Sequence, residues 1–226
     1  MIAGDICTRG CRFCNVKTGK PAPLDADEPQ HIAQAIKELG IKHAVLTSVD
    51  RDDLPDGGAA HWVAVIQAVK TLNPAITMET LIPDFQGREN LITQIIEAKP
   101  EVISHNVETV RRLTPLVRSR ATYETSLQTL AYIAKSHSIA KSGLMLGLGE
   151  TQDEILETMD DVLRQGCSVL TIGQYLQPSK TNIEVAEYIH PDIFASYKQI
   201  GLSKGFKHVE SAPFVRSSYH AEQHIR

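Results

Sequence analysis

An open, partial TIM-like (β/α)6 barrel, an α/β fold, is what this sequence predicts, and three observations predict it. Short apolar runs alternate with segments of helical period along nearly the whole chain, which implies a parallel sheet with helices packed outside it. About six or seven strand–helix units fit into 226 residues, too few for a closed eightfold ring. No linker or low-complexity stretch interrupts them, so residues 1–226 read as one domain, with a leading loop at 1–14 and a C-terminal segment at 205–226. Ligands of such a fold are expected at the C-terminal ends of the strands.

The elements follow in order. Residues 1–6 read as a strand, so the chain starts inside a core element; this suggests that sequence is missing upstream or that the form is trimmed. Residues 41–49 form an apolar run of buried-strand character, and Trp62, Val65, Ile66, Val69 and Leu72 then recur at helical spacing over 58–72. Strands are predicted at 75–82, 102–106, 140–148 and 169–174, and helices at 88–97 and 191–204. Thr151 and Glu154 have capping-box spacing ahead of Ile155, Leu156, Met159, Val162 and Leu163, which starts another helix. Residues 173–190 have weak periodicity and are expected to cover the open mouth.

Composition narrows the function. Hydrophobic residues make up 42% and charged residues 22%, an ordinary globular balance. A net charge of -4 with scattered histidines gives no electrostatic reason to expect nucleic acid or an anionic membrane surface. No apolar run approaches a bilayer span, and no secretory leader opens the chain. Three of the four cysteines crowd into eight residues, a pattern of metal or redox work in a reducing compartment. A cytoplasmic location is expected, or a mitochondrial or plastid one if the source is eukaryotic.

Cys7, Cys11 and Cys14 carry the chemistry. Their C-x3-C-x2-C spacing lets one loop hold three corners of a [4Fe-4S] cluster and leaves the fourth iron open. S-adenosylmethionine can chelate that iron through its amino and carboxylate groups. One electron then cleaves the S–C5′ bond and yields a 5′-deoxyadenosyl radical, chemistry that belongs to the cofactor while the protein positions it. The competing reading is a zinc knuckle or a redox dithiol, but zinc wants four ligands, and only His31 and Cys167 are available, through folding. Cys167, ahead of a buried strand, reads as a small buried hydrophobe.

This loop, followed by repeated βα units, resembles the radical S-adenosylmethionine superfamily. Further stretches resemble the lipoyl synthase family within it: residues 4–9 (GDICTR), 47–58 (TSVDRDDLPDGG), 105–110 (HNVETV), 141–151 (KSGLMLGLGET), 173–179 (GQYLQPS) and 216–220 (RSSYH). The resemblance implies insertion of two sulfurs at C6 and C8 of an octanoyl group. That group is carried on a lysine of a lipoyl domain, in the E2 component of 2-oxoacid dehydrogenases or the H protein of glycine cleavage. A ferredoxin or flavodoxin would donate electrons. It also implies a sacrificial auxiliary [4Fe-4S] cluster, whose serine ligand maps onto Ser218 and whose three cysteines precede the radical loop at C-x4-C-x5-C spacing. These 226 residues contain no such triplet, so the expectation is that the chain as given cleaves S-adenosylmethionine without completing lipoyl formation. Another sulfur inserter, of the biotin synthase kind, or a non-catalytic metal-binding domain are the alternatives.

Several candidates keep two readings. Thr47 and Ser48 end the second predicted strand, where cofactor binding is expected; the acidic turn 50–56 either helps seat the methionine end or is a solvated, capping turn. Asn106 and Glu108, polar at a strand end, suit ribose hydroxyls or an ammonium group. Arg118 and Arg120 follow as ligand contacts or surface charges. Gly147 and Gly149 allow either close ligand approach or a plain turn.

Overall fold

The computed structural model describes residues 1–225. Six strands form one parallel sheet: β3 (His43–Thr47), β4 (Thr77–Leu81), β5 (Val102–Ser104), β6 (Ile139–Leu146), β7 (Val169–Gln174) and β8 (His208–Ser211), in that spatial order. Helices α1 (Glu28–Glu38), α2 (Ala59–Leu72), α3 (Glu89–Glu97), α5 (Tyr123–Ala134), α6 (Gln152–Arg164) and α7 (Pro191–Lys204) occur between or ahead of them, with the single turn α4 (Thr114–Val117) before α5. The predicted partial barrel is the fold found. The capping box of α6 is present, Thr151 taking the Glu154 N–H while the Glu154 carboxylate takes the Thr151 N–H.

One expectation fails at the N-terminus. Residues 1–6 are no regular strand: Ile2 makes a single parallel bridge to Ser48, after which Ala3 and Gly4 turn left-handed, with φ of 66° and 96°. That breaks the extended run. Only β1 (Ile6–Cys7) follows, paired parallel with β2 (Lys17–Thr18) in a small separate sheet. Among the elements absent from the sequence reading are two long helices and a strand of the main sheet. Helix α1 buries Pro29, Ala33 and Ile36, and α5 buries Leu130 and Ile133; β8, four residues long, supplies the sixth strand.

Register sorts the sheet into two faces, because side chains two apart along a strand share a side. Glu79 on β4, Ser104 on β5 and Lys141 on β6 meet through hydrogen bonds on the barrel's inner side. With them the pairing places Thr47, Leu81, Gly143, Thr171 and Gly173 on that side, toward the strand C-termini. Met78, Ile103, Ala140, Leu144, Leu170 and Ile172 alternate with them and pack in the apolar core. At the opposite end, His208 of β8 and His224 lie with ring centroids 5.8 Å apart. The adjoining turn (Ala221–Gln223) packs against β3, so the C-terminal residues reach both edges of the open sheet.

Candidate functional site

Pairing of β1 with β2 closes the chain between them into the cysteine loop. The Cys14 N–H bonds the Cys11 carbonyl at 3.1 Å, and the Gly19 N–H bonds that of Cys7 at 3.0 Å. Arg12 donates its N–H to Val117 O at 2.8 Å, while Asn182 Nδ2 donates to Arg12 O (3.1 Å) and Cys14 O (2.9 Å). The loop is thus tied from both sides. Of residues 173–190, expected to cover the mouth, the first two complete β7, and 175–190 lie without regular structure and make this second tie.

Cys7, Cys11 and Cys14 line one cavity of about 300 Å³. Cys7 Sγ accepts the Arg9 and Asp50 N–H groups at 3.3 and 3.4 Å, and Cys14 Sγ accepts that of Val16 at 3.5 Å. Burial pushes both thiols up in pKa, and these N–H bonds oppose it. N–H donation to sulfur stabilises a cluster-bound thiolate. Among the described residues no three His, Cys, Asp or Glu converge on a single-ion position; the thiols share a cavity rather than a point. Three thiols, two of them with backbone donors, on a cavity edged by polar side chains fit a three-cornered iron–sulfur cluster with a ligand beside it.

The wall behind the loop is a paired charge network. Arg9, 5% exposed, reaches Asp52 through Nε and Nη2 (both 2.8 Å), Asp84 through Nη2 (2.8 Å) and Asp50 through Nη1 (3.3 Å). The Arg9 hydrogen bonds lower Asp52 to about 2, whereas burial raises Asp50 despite Arg9. Arg51 pairs with Asp53 and donates to Ala3 O and Ala22 O; Asp56 accepts the Gly58 and Ala60 N–H groups at the start of α2. Most of the acidic turn is therefore scaffold and helix capping, and Asp50 is its one carboxylate that lines the cavity. Sequence reasoning missed Arg9 as the hub, since no local spacing announces a partner at Asp84.

Thr47, Ser48, Asn106, Glu108 and Arg118 line the same cavity. The Ser48 hydroxyl accepts from Trp62 Nε1 at 3.1 Å. Arg118 donates to Ser126 Oγ (2.7 Å) and Asn106 O (3.3 Å), while its Nε is buried without a partner. Asn106 donates to Ser217 Oγ at 3.3 Å, and its Oδ1 is likewise unpartnered. Glu108 sits at φ 69°, bridged to Leu144, and burial raises its pKa against the pull of Arg118. Arg120, by contrast, is an exposed charge 3.6 Å from Asp52.

Phe13, Asn106 and Glu108 also line an adjoining cavity of about 220 Å³, with Gly143, Thr171, Gly173, Arg216 and Ser217. A Cβ on Gly143 would lie 2.8 Å from Asn106 Oδ1, and one on Gly173 2.3 Å from Val215 O. Gly147 answers protein packing rather than an open approach: a Cβ there would strike Gln174 Nε2 and Glu187 O, and Gly149 shares its positive φ. Ser218 is exposed and lines neither cavity. Cys167 is fully buried, its single S–H facing the carbonyls of Ala140 and Val169, each 3.3 Å away, with burial raising it to about 12.

The model of the radical SAM superfamily matches residues 1–162. The lipoyl synthase of Treponema denticola is 66% identical over 225 residues, spanning 100% of this chain and 78% of its own length. That of Parabacteroides distasonis is 62% identical, spanning 100% and 80%. Among solved structures, Streptococcus suis SuiB bound to S-adenosylmethionine superposes with a TM-score of 0.73 at 9% identity, over 93% of this chain and 48% of that one. Methylornithine synthase, PylB, gives 0.67 at 12%, over 96% and 72%. These two speak to the fold.

Proposed function

The chain belongs to the radical SAM superfamily and, within it, to the lipoyl synthases, and from that premise we propose how its residues share the work of sulfur insertion. Cys7, Cys11 and Cys14 hold the [4Fe-4S] cluster that the family implies, with S-adenosylmethionine beside it. When bound, that pair supplies the 5′-deoxyadenosyl radical that takes hydrogens from C6 and C8 of a carrier-bound octanoyl chain. Phe13 walls the cavity beside the cysteines and helps exclude water from it.

Asn106 and Glu108 bind the amino, carboxylate or hydroxyl groups of S-adenosylmethionine, and Thr47 and Ser48 border the same space. The observation that carries this reading is that Asn106 and Glu108 line the cavity that all three thiols share, with Asn106 Oδ1 left without a hydrogen-bond partner in the protein. The octanoyl group reaches the site on a lipoyl domain, E2 or H protein, with ferredoxin or flavodoxin as electron source. Ser218, exposed on the C-terminal segment, is the proposed serine ligand of the auxiliary cluster that the family uses as sulfur donor.

Anaerobic reconstitution with iron and sulfide, followed by dithionite and S-adenosylmethionine, tests the core of this reading. The expected result is a brown protein that forms 5′-deoxyadenosine, and a Cys14→Ala variant that forms none. Retention of tetrahedral zinc, or deoxyadenosine unchanged in the variant, would overturn it. Iron and sulfide counted per chain then report whether a second cluster is held.

A further inference from the structure

Within the barrel, on the same inward face as the cavity glycines, lies an ion pair with no exposure at all. Lys141 Nζ meets Glu79 Oε2 at 2.8 Å, both side chains 0% exposed, and Ser104 Oγ donates to the other Glu79 oxygen at 3.0 Å. A buried pair is seldom more stabilising than apolar residues of like volume. Its value here lies in a further ammonium N–H, which donates to the main-chain carbonyl of Ser217.

Residues 212–219 form a strap that leaves β8 beside the C-terminal end of β7 and leads toward the turn at Ala221–Gln223. Its start is held by the sheet: Ala212 N–H bonds Ile172 O at 3.2 Å, and Gln174 N–H bonds Pro213 O at 3.1 Å. Further along, Tyr219 N–H bonds Arg216 O and Ala221 N–H bonds Ser218 O, both local turns. Among the described residues, the hydrogen bonds that tie 216–219 to the barrel both end on Ser217, from Lys141 and from Asn106 Nδ2. Val215, Arg216 and Ser217 in turn line the smaller cavity.

We infer that Lys141 is a positioning residue: its ammonium, held by Glu79, fixes Ser217 and so sets where Arg216 stands on the smaller cavity and where Ser218 follows it. The Lys141 side chain lines neither cavity. The inference goes beyond the proposed chemistry and concerns a tie made by the chain alone, so its outcome is independent of whether 5′-deoxyadenosine forms.

Hydrogen exchange on the full chain, without cluster, tests it. Lys141→Met alone strands the Glu79 carboxylate, so the informative variant is the doubly neutral Glu79→Met/Lys141→Met. In that variant amides of 215–221 exchange at least about tenfold faster, while those of β6 and β7 stay within about twofold of the parent. A merely structural role moves strap and sheet together, and that result overturns the inference. So does a strap as protected as in the parent. Should the double variant fail to fold, through-hydrogen-bond scalar coupling between Lys141 15Nζ and Ser217 13C′ in the parent protein decides: present, the tie is real; absent, it is not.

Discussion

On the cysteine-loop side of the cavity, Arg9 meets three carboxylates, whereas across it Asn106 Oδ1 and Arg118 Nε are buried with no partner. Both walls are polar and both flank the three thiols, yet their hydrogen-bond accounts differ. The Arg9 wall is complete in the protein alone, and its work is to hold Asp50 and the loop in place. The Asn106 wall leaves an acceptor and an N–H unmet in the protein alone, in keeping with the ligand-binding role proposed for it. Charge density therefore marks scaffold here, and unmet hydrogen bonds alone do not mark a binding surface, since His43, Thr109, Ser211 and His224 carry unpartnered buried atoms away from both cavities.

The largest effect that would break this contrast is at Arg9. Arg9→Met leaves Asp52 and Asp84 without their cation, and breaking a buried pair from one side costs about 3–5 kcal/mol. Urea unfolding of the cluster-free chain measures it; a loss under about 1 kcal/mol would mean that the network is not scaffold. A smaller effect is expected across the cavity. Asn106→Ala removes an acceptor that the free protein does not use and one long hydrogen bond to Ser217, so stability changes by about 1 kcal/mol. S-adenosylmethionine binding to the reconstituted protein weakens about tenfold, roughly 1.4 kcal/mol. Equilibrium dialysis reads that ratio, and unchanged affinity would remove Asn106 from the binding surface.

The smallest effect sharpens the comparison through pH. Asp52 has its pKa lowered to about 2 by Arg9, below its ordinary value of about 4. A depressed folded pKa means that ionised Asp52 stabilises the fold above about pH 4, and that this contribution disappears as pH falls through about 2. Asp52→Asn should therefore differ most from the parent at pH 4 and above, with the two stabilities converging toward pH 2. Asp50, raised by burial, works in the opposite sense and shallows the parent's slope. Parallel acid-unfolding curves would show that Asp52 takes no part in the network.

Much of the fold was legible because the inner strands and outer helices carry strong periods. Residues 169–174 and 191–204 begin and end where expected. Helix α1 escaped notice because it carries little apolar bulk, burying two small residues beside Ile36, and β8 because four residues make too short a run. Residues 1–6 misled by their apolar start; the left-handed Ala3 is imposed by tertiary ties, its N–H on Glu28 and its carbonyl on Arg51. At the site, the cysteine spacing and the polar strand end at Asn106 could be read locally. Arg9 with Asp84, and Lys141 with Glu79, could not. Those partners are 75 and 62 residues apart, and only the barrel brings them together.

Gly143 and Gly173 show how this barrel acquires its interior. Farther down the same strands Lys141 and Thr171 fill the inward side; above them two side chains are simply omitted, and Asn106 and the Val215 carbonyl occupy the space released. The two glycines thus let Asn106 and the C-terminal segment close against the strands beside the cavity. A single methyl added at either glycine would therefore strike Asn106 or the Val215 carbonyl and push the wall itself out of place.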